Sequence, residues 1–246
     1  MTDVRVGASI CRSTEITDTK YIQLKNLQGK NIQQAETELN GVEKIGKFFL
    51  FLTGNDLFRS RNFRDKSGNL HGHRISKRLR ANEVKNLMTK YKGLIKIAKA
   101  REAKRIVIVP CYVRNLERVC KNTFQVCSER KLIHRFTMSY SKKIINVAMK
   151  NLKRIIKQIG LQPSSVSLEE FEQACLGDKL SAKQMSKLEI TRRIIGMDDV
   201  HYQLPCYHRL GQFLGSYEWE KWRNENWSRS AQRQNDHILH PTRNFQ

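Results

Sequence analysis

Two stretches of the chain are apolar at every position, Phe48–Leu52 and Ile106–Val109. An unbroken apolar run of strand length is what a strand buried on both faces of a parallel sheet shows. The first strand, Lys47–Leu52, ends at Thr53-Gly54-Asn55-Asp56, and the second, Arg105–Val109, is stopped by Pro110. Two shorter extended pieces precede them. Asp3-Val4-Arg5-Val6 ends at Gly7-Ala8-Ser9, and Lys20–Leu24 leads to Gly29 and a helix-like stretch over Ile32–Ile45. After a polar, glycine-containing loop at Arg59–Gly72, Ala81–Ala103 has helical composition with Gly93 as its one breaker. Ser141–Ile159 reads as a helix because Ile144, Ile145, Ala148, Leu152, Ile155, Ile156 and Ile159 recur at three- and four-residue steps before Gly160. Ser165–Leu168 is a candidate fifth strand and Ser181–Ile195 a further helix, while the polar tail from Ser228 is expected to fray.

Strands alternating with helices at these spacings predict an α/β fold, a three-layer α/β/α sandwich around a central parallel sheet. The strands near 4–6, 20–24, 47–52 and 105–109 should lie parallel, with the helices near 81–103 and 141–159 on its faces. No internal repeat or linker interrupts residues 1–227, so one domain is expected there, followed by a tail at 228–246. The chain has 246 residues, 39% of them hydrophobic and only four prolines, enough apolar side chain for one α/β core. Its apolar runs are far shorter than a membrane span needs, and the first dozen residues have no signal-peptide core. An intracellular protein, cytoplasmic or nuclear, is therefore expected, with no membrane partner. Six scattered cysteines are too few for a disulfide scaffold, so free thiols are expected.

Charge changes this picture. The net charge is +23, and residues 61–160 alone hold 27 Lys+Arg against five Asp+Glu, a surplus of 22. A field of this size attracts polyanions, because each neutralised phosphate releases condensed counterions. Arg74, Lys77, Arg78 and Arg80 form its densest short run, and RNA or single-stranded DNA is the expected partner. Phe63, Tyr91 and Tyr112 are among the few aromatic residues of this stretch, which favours backbone contact over base stacking.

In an open α/β sheet, functional groups gather at the carboxyl ends of the strands. Those ends carry Ser9, Gly29 and Asn55, and the last such strand end offers Asp198-Asp199-Val200-His201. Acyl transfer needs a hydroxyl nucleophile, an imidazole base, a carboxylate that fixes the imidazole tautomer, and N–H donors for the oxyanion. Taken singly, Ser9 serves equally as a helix cap, Asn55-Asp56 as turn chemistry, and His201 as a surface histidine. Their ordered occurrence is what points to chemistry.

Four blocks resemble the signature of the SGNH hydrolases, the GDSL esterase-like family. Gly7-Ala8-Ser9-Ile10 is similar to its first block, Gly29 to its second, Thr53-Gly54-Asn55-Asp56 to its third, and Asp198-Asp199-Val200-His201 to its fourth. The likeness spans roughly residues 4–214. Ala8 stands where the family has Asp, and Thr53 where its third block has Gly. The resemblance implies a flavodoxin-like SGNH fold and a serine esterase acting on a small carboxylic ester such as an acetyl ester. It further implies Ser9 as nucleophile, His201 as base, Asp198 as orienter, and Gly29 with Asn55 as the oxyanion hole, without a cofactor. Basic domains of this type accompany nucleic acid in the first open-reading-frame proteins of some LINE retroelements. The alternative is a non-catalytic SGNH-like domain that binds RNA or DNA.

Three other signals carry less. Gly41–Lys47 has phosphate-loop spacing but precedes a strand and has Phe48 in place of Ser or Thr. His71-Gly72-His73 and Cys206-Tyr207-His208 lack the spacing of a metal site, so no metal is expected. Tyr217, Trp219, Trp222 and Trp227 stand among Glu218, Glu220 and Glu225, which suits a docked last helix better than a phosphate-facing surface.

Overall fold

The structure, a computed structural model, describes residues 1–24, 27, 29–57, 60–64, 70–75, 81–112, 127–177, 179–196 and 201–216. Five strands form the central sheet: β1 (Thr2–Gly7), β2 (Thr19–Gln23), β3 (Ile45–Phe51), β6 (Arg105–Val109) and β7 (Gln162–Ser165). Their order is β2-β1-β3-β6-β7, and every neighbouring pair is parallel. The register explains the two-faced apolar strands. Val4, Phe48 and Ile106 form one row and Arg5, Phe49 and Val107 the next. Phe48, Phe49, Leu50, Ile106, Val107 and Ile108 are all buried, as they must be when helices cover both faces.

The connection from β1 to β2 steps one way across the sheet, and those from β2 to β3, β3 to β6 and β6 to β7 step the other way. Right-handed crossovers then put the first connection on one face and the later three on the opposite face. The first carries the short helix α1 (Ser9–Ser13). The later three carry α2 (Gly29–Asn40), α4 (Ala81–Ala100) and α5 (Cys127–Gln158), with α4 packed between α2 and α5. After β7 the chain adds α6 (Leu168–Leu176), α7 (Lys187–Ile194) and α8 (Leu204–Ser216), of which α6 packs on both others. The change of direction falls between β1 and β3. A sheet wound this way opens a crevice beyond the carboxyl ends of those two strands.

Several elements differ from the sequence reading. Arg59–Gly72 is not simply a loop, because β4 (Ser60–Arg64) and β5 (Leu70–Ile75) pair antiparallel there, with a shift between Phe63 and Arg64. Their pairing needs only backbone hydrogen bonds, which a polar sequence does not advertise. The helix expected from Ser141 begins at Cys127, since no Gly or Pro interrupts 127–158 even where the aliphatic stripe is absent. The helix expected over Ile32–Ile45 stops at Asn40, and Ile45 opens β3. The phosphate-loop-like Gly41–Lys47 thus joins a helix to a strand.

The late strand lies at Gln162–Ser165 instead of Ser165–Leu168, because Ser167 is already the N-cap of α6. Its hydroxyl accepts from the Glu170 N–H at 3.1 Å while the Glu170 carboxylate accepts from the Ser167 N–H at 2.7 Å. This is a reciprocal capping box. Replacing Ser167 with Ala should cost about 1 kcal/mol, read as a Tm lower by about 2–4 °C in thermal unfolding. The helix expected over Ser181–Ile195 is a 3-10 turn, Ala182–Gln184, and then α7, capped by Ser186 through the Glu189 N–H. The tail at 228–246 and the aromatic group at 217–227 lie outside the described residues. Among the described residues no helix is long and apolar enough to cross a membrane.

Candidate active site

Ser9 is the first residue of α1, directly beyond the carboxyl end of β1. The turn from strand to helix is tight because Gly7 has no side chain. A Cβ there would lie 2.5 Å from Cys11 Cβ and 2.7 Å from Phe51 Cβ, on the neighbouring strand. Ala8, and not Ser9, is the N-cap, and it makes no side-chain cap bond. The capping role that Ser9 could have filled is therefore not the one it has.

The turn is held from below by groups that sequence reasoning did not single out. Arg5, buried within β1, donates to the Cys11 carbonyl at 3.0 Å and to the Thr14 carbonyl, tying down the carboxyl end of α1. Its guanidinium also lies over the Tyr21 ring. The Tyr21 hydroxyl, pushed up to about 12 by burial, stays protonated and donates to the Gly7 carbonyl at 3.1 Å. An Arg between two valines in a central strand was the one sequence signal that could have marked this support. A buried cation must find acceptors.

His201 does not stand at a strand end, contrary to expectation. It lies between α7 and α8, in a loop closed by the Ile195–Tyr202 bridge. The Gly196 N–H donates to the His201 carbonyl at 2.7 Å, and the Gln203 N–H donates to the Ile194 carbonyl at 2.8 Å. The adjacent Tyr202 is buried and acts as a strut. Its N–H donates to the Tyr207 hydroxyl at 3.0 Å, and its own hydroxyl accepts the Tyr112 N–H at 2.9 Å, just past β6. Phe171 meets its ring edge-on, with centroids 5.5 Å apart.

These two supports bring residues 192 apart in sequence into contact: Ser9 Oγ lies 2.9 Å from His201 Nε2. That is hydrogen-bond reach for a nucleophile and its base. With the ring proton on Nδ1, the serine hydroxyl donates to Nε2 and can pass its proton there as it attacks. Cys11, two residues along α1, is no competitor, because burial pushes its thiol well above the ordinary range. Thr53, the larger residue at a glycine position of the motif, is buried. Its N–H donates to the Tyr91 hydroxyl at 3.1 Å, and its own hydroxyl lies 3.3 Å from that oxygen, toward α4.

The remaining candidates are placed by topology. Gly29 opens α2 after β2, and Asn55 belongs to the short helix α3 (Gly54–Leu57) after β3. Because the sheet is parallel, both follow the same carboxyl edge as Ser9. The Asn55 side chain and the whole of Asp198 lie outside the described residues. So do Lys77, Arg78 and Arg80, whereas Arg74 belongs to β5, opposite Arg61. Of the cysteines, Cys11, Cys111, Cys175 and Cys206 are in no disulfide and are buried. No protein-family model matches the chain, and no curated protein matches it.

Proposed function

We propose that the chain is a serine hydrolase of the SGNH type that cleaves a small carboxylic ester. The observation that carries this reading is the 2.9 Å approach of Ser9 Oγ to His201 Nε2 at the topological switch point. In the proposed reaction His201 takes the proton of Ser9 as Oγ attacks the ester carbonyl. Asp198 holds the ring so that Nε2 faces the serine. The Gly29 N–H and the Asn55 amide receive the developing oxyanion. Collapse expels the alcohol, which takes the proton from His201, and water then releases the acid from the acyl-serine by the same exchange. A serine-directed fluorophosphonate probe should label the protein, with the adduct mapped to the Ser9 peptide by mass spectrometry. Absence of labelling at pH 7–8 would overturn the reading.

A second reading, a nucleic-acid-binding domain with or without hydrolysis, is favoured by the surplus of 22 positive charges in residues 61–160. Single-stranded RNA or DNA should bind with little sequence preference. A surface touching about five phosphates predicts a log–log slope against salt of roughly −3 to −4. Binding that is weak even at low salt would count against it.

A further inference from the structure

We infer that the outer face of α4 and α5 is the surface on which a nucleic-acid phosphate backbone lies, on the side of the sheet away from α1. The inference rests on the nucleic-acid reading above and relocates its surface from the Arg74–Arg80 run. From Asn86 to Ala100 and from Lys142 to Gln158 the two helices contain ten Lys or Arg and no Asp or Glu. They pack side by side. Most of their apolar residues, among them Tyr91, Leu94, Ile95, Ala98, Ile145, Leu152 and Ile156, are buried, with Val147 the exposed exception, so the cations fall on the remaining surface.

Lys92, Lys96, Lys150 and Arg154 are all exposed, each pair four residues apart. That spacing puts cations about 6 Å apart along each helix, near the interval between successive phosphates of one strand. Lys99 ties the two helices together by donating to the Ile159 carbonyl just past α5. The charges crowd one another: burial and the Lys157 cation lower the affinity of Lys153 for its proton, and Glu170 acts in the opposite sense. Glu170 on one flank and Glu36, beside Gly93 on the other, border the array. No exposed aromatic lies within it, since Tyr91 is buried. Recognition is therefore by charge alone, without base stacking. Two acid-free stretches packed side by side also depart from the ordinary mixed-sign surface that keeps a helix soluble.

The test uses the full chain and a fluorescein-labelled oligouridylate. Replacing the four cations together (K92Q, K96Q, K150Q, R154Q) should flatten the salt slope by roughly 3 and weaken low-salt binding at least about tenfold. Hydrolysis of p-nitrophenyl acetate by this variant, and its circular dichroism, should match the parent protein. A control with the same loss of charge placed elsewhere (K20Q, K104Q, K179Q, K183Q) should keep most of the slope. Equal losses in the two variants would overturn the placement while leaving the nucleic-acid reading standing. No binding by the parent protein at low salt would overturn both. Full competition by phosphatidylserine vesicles at matched charge would overturn the choice of ligand.

Discussion

Substituting Ser9 by Ala should reduce p-nitrophenyl acetate hydrolysis by about 10⁴-fold, with His201→Ala costing nearly as much and the double variant little more. The near-equality follows from the geometry. A hydroxyl whose proton has nowhere to go and a base with no proton to take are the same defect, so the two losses do not add. The fold should survive both changes, because Ser9 is exposed and caps nothing, and the His201 loop is held by backbone bonds and Tyr202. Steady-state rates and fluorophosphonate labelling on the same preparations check this. A Ser9→Ala protein that hydrolyses the ester at the parental rate would sink the assignment.

A second large effect is expected far from the reacting atoms. Gly211, in the middle of α8, faces the loop after α1 so closely that a Cβ would lie 2.1 Å from the Glu15 carbonyl oxygen. In an isolated helix Gly→Ala gains up to about 1 kcal/mol. Here the contact is with backbone that cannot rotate away, and overpacking of this kind costs about 1–3 kcal/mol. The clash should win, lowering Tm by about 2–10 °C. It should also lower ester hydrolysis, because α8 follows directly on the His201 loop and the loop it presses follows directly on the Ser9 helix. Calorimetry together with the labelling rate distinguishes the two signs. A rise in Tm would show that propensity outweighs the contact.

What could be read from the chain beforehand has a physical pattern. Strands β3 and β6 were legible because both of their faces are buried, which leaves no polar alternation to confuse them. The four-block order pointed to Ser9 and His201 because each belongs to a short local motif. Elements held by backbone pairing or capping were harder to see. The polar sequence of β4–β5 has no apolar alternation that a pattern could reveal. The caps at Ser167 and Ser186 each precede Glu by three residues, a start signal too short to outweigh the surrounding pattern. Tyr202 was invisible for another reason, and Arg5 was marked only by its charge between two valines. Their work lies in bonds to Cys11, Thr14, Tyr112 and Tyr207, partners that only the assembled fold supplies.

The separation of Ser9 and His201 by 192 residues has a consequence for when the molecule becomes competent. During synthesis the serine emerges long before its base, and the central sheet contains no hairpin that could close locally. Each of its pairings must wait for a crossover, the kind of topology that folds slowly. Until α8 docks against the loop after α1, Ser9 is an ordinary hydroxyl with no proton acceptor. If the chain is the proposed serine hydrolase, a nascent or partly refolded molecule is thereby kept from acylating itself on passing esters. Appearance of hydrolysis during refolding would report the last long-range contact, and it should lag behind the recovery of helical signal.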